Sequence, residues 1–148
     1  MMRYTFLILT FLLACISGVS AQRLLNSSRS TIGYIESGRV MNASRSTIGY
    51  IEAEKVMNGS ERTEKDSDEY RILNSSRSTI GYYEDGRVMN SSRSTIGYIE
   101  DDRILNASRS TIGYIENGRV LNSSRSTIGY YEDVKASFAV LHFFFFFK

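Results

Sequence analysis

The phrase Asn-Ser-Ser-Arg-Ser-Thr-Ile-Gly-Tyr-Ile-Glu, first met at residues 26–36, returns on a strict 16-residue period marked by Asn26, Asn42, Asn58, Asn74, Asn90, Asn106 and Asn122. A repeat this short is a single supersecondary unit that cannot bury its own apolar face, so copies must be one another's partners. Six of the seven units keep Ser-Arg-Ser-Thr-Ile-Gly-Tyr, whereas the third, Asn58–Leu73, keeps the length and loses the apolar centre. That unit is expected to be a loop or a weak edge.

Within a unit, Ser30-Thr31-Ile32-Gly33-Tyr34-Ile35-Glu36 is rich in β-branched and aromatic residues and reads as a strand. Glu36-Ser37-Gly38-Arg39 and its counterparts Glu84-Asp85-Gly86-Arg87 and Glu116-Asn117-Gly118-Arg119 follow it. Asp-Gly and Asn-Gly favour a type I′ turn, in which both central residues take positive φ. The chain then returns through a short strand, Arg39-Val40-Met41, and turns again at Asn42-Ala43-Ser44-Arg45. Simple alternation puts Ile32 and Tyr34 on one face and Ile35 on the other. Gly33, Gly49, Gly81, Gly97, Gly113 and Gly129 fall in mid-strand, where glycine permits a bend or the close approach of other atoms. One such hairpin is marginal in water, and several must share a buried face. The expected fold is all-β: tandem 16-residue two-stranded repeats in a pseudo-symmetric, flower-like antiparallel assembly, with an extended β-meander or solenoid as the alternative. An outer-membrane barrel does not suit strands this short, since spanning strands need ~9–11 residues.

The ends differ from the repeats. Met1–Ala21 has one positive charge, an apolar run from Tyr4 to about Ile16, and small residues at Val19-Ser20-Ala21, which is the pattern of a secretory signal peptide. Leu12-Leu13-Ala14-Cys15 offers a second reading as a lipobox, with lipidation at Cys15. At the other end the repetition stops after Asp133, and Phe143–Phe147 form an unbroken aromatic run. The resulting division is a signal peptide over 1–21, two β-hairpin repeats over 22–57, a degenerate charged repeat or loop over 58–70, four β-hairpin repeats over 71–133 and an aberrant hydrophobic tail over 134–148. That tail is expected to stem from a frame change or a truncated reading. Export places the protein in the periplasm, at the cell surface or outside the cell, or anchors it through Cys15.

Little in the chain points to catalysis. The net charge is +2, or +1 once Arg3 leaves with the leader, and the charges are interleaved, so nucleic acid is not an expected partner. The single His142 and the single Cys15 supply no metal cluster, and no cofactor is expected. Glu36, Glu52, Glu84, Glu100, Glu116 and Glu132 recur as equivalents, whereas paired acid/base chemistry needs carboxyls in different environments. They are expected to pair with arginines. The candidate ligand-binding residues are Tyr34, Tyr50, Tyr82, Tyr98, Tyr114 and Tyr130, joined by Tyr83 and Tyr131, which either stack on sugars with avidity or fill the core. The Asn-x-Ser sequons are explained by one turn position.

The run Ile-Gly-Tyr-Ile, then Asp-Gly-Arg-Val or Asn-Gly-Arg-Val, then Asn-Ser-Ser resembles the bacterial exported proteins called four-fold beta-flower proteins. The resemblance implies four two-stranded units around a pseudo-four-fold axis, which Arg71–Asp133 would supply, leaving two copies over between Arg23 and Met57. It brings no established activity. The expected function is that of an exported, non-enzymatic structural or interaction module of the cell envelope. The alternatives are a carbohydrate or cell-wall binding module and a self-assembling surface fibre subunit. Partners are accordingly polysaccharide or further copies of the chain, and no integral membrane span is expected after the leader.

Overall fold

The computed structural model describes residues 22–54 and 69–147. The leader expected over 1–21, with Cys15, and most of the degenerate repeat lie outside the described residues. The strands are β1 (Arg23–Asn26), β2 (Thr31–Glu36), β3 (Arg39–Asn42), β4 (Thr47–Ala53), β5 (Glu69–Asn74), β6 (Thr79–Glu84), β7 (Arg87–Asn90), β8 (Thr95–Glu100), β9 (Arg103–Asn106), β10 (Thr111–Glu116), β11 (Arg119–Asn122) and β12 (Thr127–Glu132). Each pairs antiparallel with its chain neighbour, and β1 pairs with β12, so the twelve close into an up-and-down barrel without a free edge. Long and short strands alternate except at β5, which is extended to six residues, and this makes six two-stranded units around the axis. The four-fold arrangement is therefore corrected: the copies between Arg23 and Met57 are not surplus but complete the ring through β1–β4. β4 pairs directly with β5, so the end of the third unit, expected to be a loop or weak edge, is a strand of the ladder from Glu69 onward.

Turn chemistry sets the register at both ends of the barrel. Ser37-Gly38, Asp85-Gly86 and Asn117-Gly118 all have positive φ, as type I′ turns require. At the opposite end each loop is a three-residue connection: Arg29 N–H donates to the Asn26 carbonyl, and Asn26 N–H donates to that of Ser30. The Asn26 side-chain oxygen accepts from the N–H groups of Ser28 and Ser30, which explains asparagine at this phase. Asn74, Asn90, Asn106 and Asn122 hold their loops the same way.

Sidedness departs from simple alternation. Leu24 lies opposite Gly33 and Leu25 opposite Thr31, so Ile32 is an extra residue in the ladder. This β-bulge recurs in every unit, and it turns Ile32, Ile48, Ile80, Ile96, Ile112 and Ile128 toward the core instead of onto the tyrosine face. Inside, Leu24, Val40, Ile72, Val88, Ile104 and Val120 are fully buried.

The C-terminal tail fills the lumen. After Val134 the chain forms α1 (Ala136–Val140) and then a π-helical turn, Leu141–Phe146. Ala139, Val140 and Leu141 are fully buried in the barrel core. The next six side chains radiate outward, one to each unit: His142 faces Gly33, Phe143 Gly129, Phe144 Gly113, Phe145 Gly97, Phe146 Gly81 and Phe147 Gly49. Six steps around a closed ring need about 60° per residue, against roughly 100° in an α-helix, and widening to i→i+5 bonding moves the tail toward that pitch. The segment expected to be aberrant is thus the centre of the core, and the correction has a simple cause: a strand-based repeat gives no signal for a helix that packs along its axis.

The mid-strand glycines are the sockets for this wedge ring. A Cβ on Gly97 would lie 2.5 Å from both the Leu105 carbonyl oxygen and the Phe145 ring. At Gly33 the imidazole would be at an ordinary 3.7 Å, but the Met41 carbonyl at 2.6 Å still forbids a methyl group. Glycine is therefore demanded first by a carbonyl of the neighbouring short strand and then by the ring.

The tail enters at the turn end, beside the extended β4–β5 pair, where Tyr70 meets Phe138 edge-on at 4.9 Å and its hydroxyl accepts from Lys135 Nζ at 3.0 Å. Among the described residues no helix is long and apolar enough to cross a membrane. Gly97→Ala is expected to destabilise the fold by about 1–3 kcal/mol in urea titration. Adding Phe145→Ala restores only part of this loss, because the Leu105 carbonyl remains.

Candidate functional site

The outer wall carries the residues singled out for binding. Tyr34, Tyr50, Tyr82, Tyr98, Tyr114 and Tyr130 are half-buried there, and none belongs to the lumen core. Each lies across the ladder from a buried Met or Leu: Tyr34 from Met41, Tyr98 from Leu105, Tyr130 from Leu25. Those side chains are at most 3% exposed, so the outer face has a thin apolar layer of its own under the tyrosines.

An arginine covers each tyrosine from the solvent side. Arg45 lies over Tyr34, Arg77 over Tyr50, Arg93 over Tyr82, Arg109 over Tyr98 and Arg125 over Tyr114, with the guanidinium carbon 3.9–4.1 Å from the ring centre. Arg29 over Tyr130 at 4.1 Å closes the belt across the junction of the chain ends. All six arginines sit in the left-handed region, at φ 59–62°, the loop position that glycine ordinarily takes. A residue with a Cβ costs about 1–2 kcal/mol there. The cation–π contact, worth about 0.5–1 kcal/mol at exposed sites, offsets part of that, and the asparagine-held loop fixes the rest of the geometry.

The carboxylates complete the pattern. Glu36 pairs with Arg45 at 3.1 Å, Glu52 with Arg77 at 2.8 Å and Glu100 with Arg109 at 2.7 Å, while Glu84 turns to Arg87 at 3.3 Å and Glu132 pairs with Arg23. These are solvent-exposed pairs and hold side chains in place more than they stabilise the fold.

At two of the hairpin turns this pattern leaves a shallow groove against the following long strand. One of about 380 Å³ is lined by Glu36, Arg39, Tyr50, Glu52 and Arg77 with the backbone of the Ser37-Gly38 turn. Another, about 320 Å³, is lined by the equivalent Glu84, Arg87, Tyr98, Glu100 and Arg109 with the Asp85-Gly86 turn. With one ring face against the sheet and the other under guanidinium, tyrosine presents its edge and hydroxyl to the groove. The grooves are therefore hydrogen-bonding sites, rich in guanidinium and carboxylate, and not open stacking platforms.

Sequence reasoning found the tyrosines and glutamates and expected the glutamates to pair with arginines, but it did not place Arg45, Arg77 and Arg109 over tyrosine rings. Their signal was present: an arginine stands eleven residues after Tyr34, Tyr82, Tyr98 and Tyr114 alike. Among the described residues no group of three or more His, Cys, Asp or Glu is placed to hold a metal ion.

A closed ring of tandem β-hairpins around a wedge of tail side chains defines the architectural class. Residues 65–148, more than half of the chain, match the 5-fold beta-flower protein family, and the chain belongs to that family. The match takes in the aromatic tail together with the last four uninterrupted repeats. The family is described as five-fold, whereas this chain closes on six units and supplies six wedge side chains, His142 and Phe143–Phe147. No curated protein and no solved structure matched the chain.

A double-mutant cycle of Tyr98→Ala and Arg109→Ala, read by chemical denaturation, is expected to give a coupling of about 0.5–1 kcal/mol that persists in high salt. A coupling abolished by salt would assign the arginine's role to Glu100 instead.

Proposed function

We propose that this protein is an exported, non-enzymatic interaction module of the cell envelope that binds polysaccharide through the grooves of its outer wall. The observation that carries this reading is the recurrence of one groove in different units, with the same tyrosine, arginine pair and glutamate pair in the same places. Guanidinium donors and carboxylate acceptors held side by side match vicinal sugar hydroxyls, which are donors and acceptors at fixed spacing. A shallow site of this kind is weak alone, but a polymer meeting several copies around the belt gains by effective concentration. The equivalence of the glutamates argues against acid/base catalysis, where two carboxyls must differ. Fibre formation by strand pairing has less support, because β1–β12 pairing removes the edges that it would use.

The test is an array of glycans and cell-wall polymers probed with the chain from Gln22 to Lys148, tail included. Binding is expected, and the double substitution Tyr98→Ala, Tyr114→Ala should weaken it at least tenfold while the far-UV spectrum is kept. Failure to bind any polymer would reject the reading.

A further inference from the structure

The wedge ring that seals the lumen contains one side chain that is not a hydrocarbon. His142 is only 7% exposed, and its Nδ1 has no hydrogen-bond partner. Its ring contacts are Phe143, edge-on at 5.5 Å, and Phe147 at 6.1 Å, and it faces Gly33 of β2 beside the Met41 carbonyl of β3. The two rings cannot take up a proton, and the carbonyl, though an acceptor, carries no negative charge. The charged residues of the surrounding strands lie on the outer wall or at the turn end: Glu36 of β2 is paired with Arg45, Arg23 of β1 with Glu132 of β12, and Arg39 of β3 is exposed. The tail's own Lys135 is at the turn end, bonded to Tyr70. Among the described residues, an imidazolium at position 142 would thus stand in an apolar lumen without a counter-charge.

We propose that His142 is an acid-sensitive latch: while neutral it completes the wedge ring, and on protonation it drives the C-terminal plug out of the barrel. The proton comes from solvent and is taken up by an imidazole nitrogen, so no bond other than N–H is made. Five phenylalanines hold the plug in their sockets, and only the sixth wedge responds to pH. The device differs from the groove belt in place and in chemistry, and it does not depend on what the grooves bind.

The direction follows from the two states. Burial pushes the His142 imidazole down to about 4 from its ordinary 6.5. The seated form keeps its full advantage above pH 6.5, loses it as pH falls toward 4, and loses nothing more below that. Between pH 7 and pH 5 the seated-to-released ratio should fall on the order of 20-fold.

Hydrogen exchange followed by mass spectrometry tests this on the chain from Gln22 to Lys148, comparing tail peptides at pH 7 and pH 5 after correction for intrinsic exchange. Protection of the tail is expected to drop on the order of 20-fold in the wild type and to stay level in His142→Phe. His142→Gln, neutral at both pH values, serves as a second comparison that keeps a polar side chain. Parallel losses in the wild type and both variants would place the acid response in the carboxylates and overturn the latch, as would a wild-type tail with unchanged protection.

Discussion

Filling the lumen is the constraint on which the rest of the structure depends. A barrel of eight strands has an interior just wide enough for its own side chains, and one of twelve is wider. The strands here are four to seven residues long, too short to add layers that would close the gap. An unfilled apolar lumen forfeits dispersion contacts along its whole lining. The tail removes the problem by placing Ala139, Val140 and Leu141 on the axis and aromatic rings around it. The glycines, the bulges and the π-helical widening are each a condition for that insertion.

Much of the barrel was legible because the repeat states its own local rules. Strand propensity, the Asp-Gly and Asn-Gly turns and the asparagine loops are short-range, and they specify each hairpin without reference to the whole. What they do not specify is how many hairpins close a ring. That depends on strand tilt and on what stands in the middle, so a four-fold reading and a six-unit ring share one sequence signature. The bulge at Ile32 was hidden for a related reason: an extra residue leaves composition untouched and shows only in the register of two strands. The tail was misjudged because an aromatic run that breaks the repeat has no evident place until a lumen is present to receive it.

The outer wall shows a division of labour within one 16-residue phrase. Val, Ile or Leu points inward from the short strand, and the following Met or Leu points outward beneath a tyrosine. The arginine of the next phrase then covers that tyrosine, so every unit protects its predecessor's apolar layer. Closure matters here too, since without β1–β12 pairing Tyr130 would lack Arg29. The tyrosines were legible as a set, but their orientation was not. Arginine in a left-handed loop position is not something composition foretells.

One wedge per unit ties two unequal stretches of the gene together. A hairpin occupies 16 residues, whereas its share of the plug is a single residue. Duplicating the hairpin alone would open an empty sector in the ring, and lengthening the aromatic run alone would leave a ring without a socket. Ring size is thus recorded twice in this chain, once in the repeats and once in the tail, and an inheritable change of symmetry requires a repeat-length event and a one-codon event that agree.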